Sequence, residues 1–168
     1  DRARTYAFNR HSYPFGIVVN RRGERFLDEG ADFRNYTYAR YGAAILDQPG
    51  HVAFQIFDAK VRPLLRDEYH TPGATRVEAG THAELARALD LDVARFCTTL
   101  RAFNASIGDA RFDPARLDGK ATRGLDPPKS NWAQAIDRPP FEAYPAACGI
   151  TFTFGGLHVD RAARVLRD

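Results

Sequence analysis

Apolar residues recur along the chain at two spacings, which predict short strands and helices in no regular alternation. β-branched residues dominate Gly16–Val19, and apolar residues alternate along His51–Phe57, so both stretches are predicted strands. Between them, apolar residues three and four positions apart predict a helix over Asn35–Asp47. Pro49 and Gly50 follow at once and are expected to end that helix.

Potential capping side chains mark three further helices. Asp58 is placed to cap a short helix over Ala59–Leu65. Thr81 followed three positions later by Glu84 has the form of a capping box. Asp92 precedes a longer run of apolar residues at helical spacing, which predicts a longer helix.

The stretch Gly108–Pro140 differs from the rest, because it is rich in Gly, Pro and Asp and shows no periodicity. Long loops in compact domains are usually functional or disordered. Trp132 and the neighbouring prolines could anchor this loop, so we expect it to be ordered, though less firmly than in a longer parent protein. Aromatic and β-branched residues return over Phe141–Val159 as one or two strands. Strands and helices without regular alternation predict an α+β domain, a small mixed sheet packed with several helices.

Length and composition fit one domain. The 168 residues are 44% hydrophobic, which suffices for a single core. The chain begins at Asp1 and contains no Met, so we expect it to be a piece of a longer protein. No apolar run approaches the roughly 20 residues of a membrane span, and a cytoplasmic location is expected. Cys97 and Cys148 lack neighbours at metal-ligand spacing and are expected to be small buried hydrophobes.

Charge argues against a nucleic-acid partner. The net charge is only +3, and the basic residues are dispersed along the chain rather than clustered in a run. The five histidines lie in no paired arrangement, so each is expected to be exposed or structurally satisfied. The sequence also lacks the G-x-G-x-x-G pattern of a dinucleotide-binding turn.

The candidate for chemistry is Arg34, which closes the polar stretch Asn20–Arg34 directly ahead of the first predicted helix. A guanidinium pairs with a carboxylate through two parallel hydrogen bonds, so an arginine here could hold an acidic substrate. The alternative is that Arg34 only pairs with Asp28, Glu29 or Asp32 on the surface. Spacing alone favours that alternative.

Two motifs carry a resemblance to a known family. G-I-V-V-N-R-R-G-E-R-F-L-D-E at Gly16–Glu29, followed by Arg34, is one, and P-A-A-C-G-I-T-F-T-F-G-G-L-H-V-D at Pro145–Asp160 is the other. Together they resemble the substrate-capping domain of the fumarate reductase and succinate dehydrogenase flavoprotein superfamily. With D-P-P-K-S-N-W at Asp126–Trp132, the spelling is most similar to the tricarballylate dehydrogenase branch.

The resemblance implies roles for individual residues. Arg34 matches the capping-domain arginine that serves as proton donor or acceptor. The family's substrate-binding histidine falls on Thr151, and Thr153, Gly155 and Gly156 match the rest of that motif, so these four are expected substrate contacts. FAD is expected on a separate domain of the same polypeptide, with substrate held between the two domains.

The implied activity is an FAD-dependent dehydrogenation of a polycarboxylate, tricarballylate to cis-aconitate, with hydride passing to the flavin. A membrane-associated partner would receive the electrons, and the fragment alone would be inactive. Two alternatives stay open. One is the capping domain of the oxygen-dependent precorrin-3B synthase flavoprotein, and the other is a binding domain without chemistry.

The chain departs from the family pattern in its proton relay. A free arginine side chain has a pKa above about 12, so it can act as acid or base only in an ordered network. The family's relay positions fall on Phe8, Asn9 and Ser12, which supply neither the glutamate nor the second arginine. The spacing from Glu29 to Arg34 is also five residues where the family often has four.

Overall fold

The computed structural model describes residues 9–149 and 155–167. Four strands form one sheet in the spatial order β1-β2-β4-β3. The strands are β1 Ile17–Asn20, β2 Val52–Phe57, β3 Val77–Ala79 and β4 Phe141–Ala147. The α+β class is confirmed, while the sheet, expected to be mixed, is antiparallel in all three of its strand pairings.

Four helices accompany this sheet. They are α1 Arg34–Leu46, α2 Asp67–His70, α3 His82–Ala88 and α4 Val93–Ala105. Helix α1 lies within a residue of its predicted bounds.

The predicted helix caps at Thr81 and Asp92 are confirmed. The Thr81 hydroxyl accepts from the Glu84 amide at 3.2 Å, and the Glu84 carboxylate accepts from the Thr81 amide at 3.0 Å. The Asp92 carboxylate accepts from the Arg95 amide at the start of α4 at 2.9 Å. Both caps act within one helical turn, which is why the sequence alone could predict them.

The sheet is buried on both faces. Residues Ile17 and Val19 of β1 point to one face, where they share a core with Phe96 and Leu100 of α4. Val18, between them, points to the other face and packs in the cluster that contains residues of α1. Alternate side chains of a strand lie on opposite faces, so this short strand joins the two cores.

The helix predicted over Ala59–Leu65 is wrong. Only a 3-10 turn, Arg62–Leu64, forms there. The Asp58 Oδ1 atom accepts from the Lys60 amide at 3.0 Å, as a capping oxygen can, but Oδ2 accepts from the amides of Asp137 and Arg138 at 3.2 and 3.1 Å and so holds the distant end of the long loop.

The C-terminal strand prediction is only partly confirmed. Strand β4 ends at Ala147, and beyond the undescribed residues 150–154 the chain forms an isolated bridge between Val159 and Val165. The cysteine prediction also fails in part, since Cys97 is half-buried and Cys148 is exposed. Cys97 flanks the buried stripe of α4, and Cys148 follows the last residue of β4.

Within residues 9–149 and 155–167, none of the helices has the length and apolar character needed to cross a membrane. Over the same residues, no group of three or more His, Cys, Asp and Glu side chains is placed to hold a metal ion.

Candidate functional site

The turn after β1 is fixed by a buried ion pair. The Arg25 guanidinium contacts the Glu29 carboxylate at 3.0 and 2.5 Å, and the two side chains are 3% and 0% exposed. The Glu29 carboxylate also accepts from the Val18 amide at 2.8 Å, which attaches the turn to the sheet. The remaining guanidinium hydrogens reach the carbonyls of Pro127 and Pro128 at 2.7 and 3.1 Å. Charged groups are buried only where such partners satisfy them.

Hydrogen bonds also attach the long loop, residues 108–140, to the turn that follows β1. The Asp28 carboxylate accepts from the Ser130 amide at 2.9 Å and from the Ser130 hydroxyl. The Asn131 amide donates to the Gly30 carbonyl at 2.8 Å. A Cβ added at Gly30 would lie 2.2 Å from the Asn131 carbonyl, so only glycine permits this approach. The loop was expected to be ordered, though less firmly than in a longer parent protein; the contacts above lie within the described chain, and the comparison with a parent stays a prediction.

Lys129 lies at the centre of this anchor. Its side chain is fully buried and donates to the carbonyls of Pro14 and Gly16 at 2.6 and 3.0 Å. Burial lowers the pKa of Lys129 from 10.5 to about 8, while the nearby Glu29 charge acts in the opposite direction. The lysine thus joins the loop to the segment that enters β1.

The start of α1 is fixed by contacts on two sides. Phe33, the residue before the helix, packs against the buried Trp132 with ring centroids 5.6 Å apart. On the inner side, the Tyr13 hydroxyl lies 2.7 Å from the Thr37 hydroxyl and donates to the Arg34 carbonyl at 3.4 Å. Burial raises the pKa of Tyr13 to about 12, so this phenol stays protonated. The first turn of α1 is held from two sides.

Arg34 is the first residue of this helix and is partly exposed. The acidic residues that were expected to compete for it are engaged elsewhere: Glu29 with Arg25, Asp28 with Ser130 and Asp32 with the Phe33 amide. Among the described residues, Arg34 forms no ion pair with a carboxylate. Its guanidinium instead contacts Nδ1 of His11 at 3.2 Å. A carboxylate ligand would therefore meet a guanidinium that is not neutralised.

The other predicted site residues are less well placed. Thr151 and Thr153 lie outside the described residues. Gly155 and Gly156 follow them in an exposed segment, and Gly155 has a φ of +105°, a conformation that favours glycine. No described contact joins these two glycines to Arg34, so their role as substrate contacts stays a prediction.

Sequence reasoning missed His11 as a neighbour of Arg34. The two residues are 23 positions apart, and only the fold brings them together. The buried Arg25–Glu29 pair was also missed, although four-residue spacing of opposite charges is a signal for contact in a helix. Here the pair forms in a turn, where that spacing predicts nothing.

The described strands do not form a dinucleotide-binding unit. Dinucleotide sites use a parallel β-α-β unit with a glycine-rich first turn. The strands described here pair only in antiparallel fashion, and the sequence lacks the glycine pattern.

Several curated proteins are similar in sequence to this chain. No protein-family model matches the chain. The chain is 31% identical to the NADH:fumarate oxidoreductase of Klebsiella pneumoniae, over 89% of this chain and 15% of that protein. It is 27% identical to the 3-oxosteroid 1-dehydrogenase of Mycolicibacterium smegmatis, over 97% of this chain and 32% of that protein. It is 29% identical to a cytochrome-type fumarate reductase of Shewanella frigidimarina, over 89% and 24%.

Two solved structures have a fold similar to that of this chain. The open conformation of a flavocytochrome c3 fumarate reductase matches 95% of this chain and 26% of its own, with a TM-score of 0.68 at 22% identity. The 3-ketosteroid Δ1-dehydrogenase of Sterolibacterium denitrificans matches 94% and 31%, with a TM-score of 0.62 at 26% identity.

The described chain is thus similar, along most of its length, to one segment of flavoprotein fumarate reductases and ketosteroid dehydrogenases. It spans between a seventh and a third of the curated relatives named here.

Proposed function

We propose that this chain is the substrate-capping domain of an FAD-dependent oxidoreductase that dehydrogenates a small polycarboxylate, tricarballylate to cis-aconitate. FAD, held elsewhere in the same polypeptide, would supply the redox chemistry. The observation that carries the proposal is the Arg34 guanidinium, presented at the first turn of α1 and paired with no described carboxylate.

The relatives offer two substrate classes, carboxylates and 3-oxosteroids. A neutral steroid gives a guanidinium no anionic partner, whereas a polycarboxylate gives it a bidentate one. The amino-terminal end of α1 adds a favourable field for an anion. The described helix start has no side-chain cap and no acidic residue in its first turn, and the Asp32 carboxylate ahead of it accepts from the Phe33 amide.

This chain would contribute positioning and water exclusion. Trp132 of the long loop packs against Phe33 ahead of α1, and the Tyr41 hydroxyl of α1 donates to the Asp28 carbonyl of the turn. The loop and the turn thus hold the helix that carries the guanidinium. Pre-positioned charge stabilises the negative charge that develops when a C–H bond next to a carboxylate loses its proton. Arg34 is the proposed residue for that role.

The test is a substrate panel on the complete polypeptide that contains this chain, loaded with FAD. Tricarballylate, succinate and a 3-oxosteroid would each be mixed with the oxidised protein, and flavin bleaching would be followed without oxygen. Bleaching by tricarballylate is the expected result. Bleaching by the steroid alone would indicate a steroid dehydrogenase instead. Failure of the complete polypeptide to bind FAD would refute the proposal.

A further inference from the structure

The contact between Arg34 and His11 has a defined polarity. A guanidinium carries only donors, so the Nη1 atom of Arg34 must donate to Nδ1 of His11 across 3.2 Å. Nδ1 can accept only when the imidazole is neutral and its proton lies on Nε2. The geometry therefore requires one protonation state and one tautomer of His11.

The charged and titratable groups around His11 come from two elements. Helix α1 contributes Arg34 and the Tyr38 ring, whose centroid lies 5.8 Å from the imidazole. The other side contributes Glu68 of α2 and the preceding Arg66, which pair with each other at 2.9 Å. Burial and the Arg34 charge lower the pKa of His11, with Arg66 acting in the same direction and Glu68 against it. The neutral imidazole is thus the state expected near neutral pH.

We propose that His11 is a positioning residue that aims the Arg34 guanidinium at the substrate carboxylate and releases it when the imidazole is protonated. This inference rests on the proposed function of Arg34. Protonation at Nδ1 removes the acceptor and places a second positive charge beside the guanidinium. Both effects push the arginine away from its held position, so substrate capture weakens on acidification.

His11 lies within the stretch where the resembling family has its relay residues, yet it matches none of them. The proposal assigns it no proton transfer to or from the guanidinium. Such a transfer would have to cross the gap between ordinary arginine and histidine pKa values, about six units. A fixed hydrogen bond needs no such step.

Two variants separate the parts of this proposal. His11→Asn keeps an oxygen acceptor near the position of Nδ1 but cannot be protonated in this range. His11→Leu removes the acceptor. His70→Leu is the matched control, because His70 is exposed on α2 and has no assigned contact with Arg34.

The pairing is tested on this chain without any activity. Nitrogen-detected NMR of the imidazoles, assigned with His11→Asn, should show His11 with its proton on Nε2 and a pKa below 6.5. Arg34→Met should raise that pKa, because it removes the adjacent charge. A proton on Nδ1, or a His11 pKa unchanged by Arg34→Met, would overturn the proposal.

The positioning role is tested in the FAD-loaded polypeptide with tricarballylate. In the parent, kcat/KM should fall as pH drops through the His11 pKa; His11→Asn should keep the activity and lose this acid limb. His11→Leu should lose about ten- to two-hundredfold in kcat/KM at neutral pH, the range for one hydrogen bond to a charged group. An acid limb that persists in His11→Asn would overturn the proposal. If no polycarboxylate is turned over at all, the proposed function fails, while the NMR result still decides the pairing.

Discussion

Arg25 and Glu29 form an ion pair 2.5 Å long with both side chains almost completely buried, and the same arginine holds the carbonyls of Pro127 and Pro128. Two segments about a hundred residues apart in sequence meet at this one guanidinium. The site at the start of α1 depends on that junction, because the turn and the loop together support the helix.

Removing this arginine should be strongly destabilising. Arg25→Met leaves the buried Glu29 charge without its partner, which costs about 3–5 kcal/mol of unfolding free energy. Arg95→Met is the matched control, since Arg95 pairs with Glu24 on the surface and is 56% exposed. Such an exposed pair contributes about 1 kcal/mol or less. Urea denaturation of both variants measures the difference, and equal losses would show that the buried pair is not an anchor.

Lys129 should make stability rise with pH on the alkaline side. Its pKa is about 8 in the folded chain and 10.5 ordinarily, so the unfolded chain binds more protons between these values. The cost of burying the charge is fully present below pH 8 and is relieved as pH rises towards 10.5. The wild type should gain about 2 kcal/mol relative to Lys129→Met between pH 7 and pH 9.5.

The comparison requires a lysine in the same loop as control. Lys120 donates to the carbonyls of Gly108 and Ala110 but is less buried than Lys129. Lys120→Met should show no comparable dependence on pH. Parallel pH curves for wild type and Lys129→Met would contradict the account of the buried ammonium.

The chain alone is expected not to bind FAD. Its strands pair only in antiparallel fashion over the described residues, and the glycine-rich turn is missing from the sequence. Flavin fluorescence should therefore stay constant when the chain is added. A saturable complex with a dissociation constant in the micromolar range would contradict this expectation.

The sequence predicted what is local and missed what the fold brings together. The caps at Thr81 and Asp92 join groups within one helical turn, so spacing alone revealed them. The Asp58 carboxylate has the same type of signal, but only one of its oxygens accepts locally, from the Lys60 amide, while the other binds amides about 80 residues away. The contact between Arg34 and His11 could not be predicted for the same reason, because no sequence pattern links the two residues.

The α+β class was predictable because strand and helix patterns were both strong and did not alternate. The order of strands was not, since β4 enters the sheet between β2 and β3. The substrate contacts expected at Thr151 and Thr153 rest on the resemblance alone and lie outside the described residues.

The central claim is that the Arg34 guanidinium holds the substrate carboxylate and stabilises the charge that develops when the neighbouring carbon loses its proton, and Arg34→Lys tests it most directly. Lysine keeps the charge but loses the planar fork, and one charge-assisted contact is worth about 1.5–3 kcal/mol. That loss corresponds to roughly ten- to two-hundredfold in rate.

The measurement is steady-state turnover of tricarballylate by the FAD-loaded polypeptide with and without Arg34→Lys. Arg40→Lys, an exposed arginine farther along the same helix, is the control and should leave turnover unchanged. The account predicts a loss of at least about tenfold for Arg34→Lys, the smaller end of that range. Retention of more than about a tenth of the wild-type turnover would show that Arg34 is an ordinary surface arginine and would contradict the account.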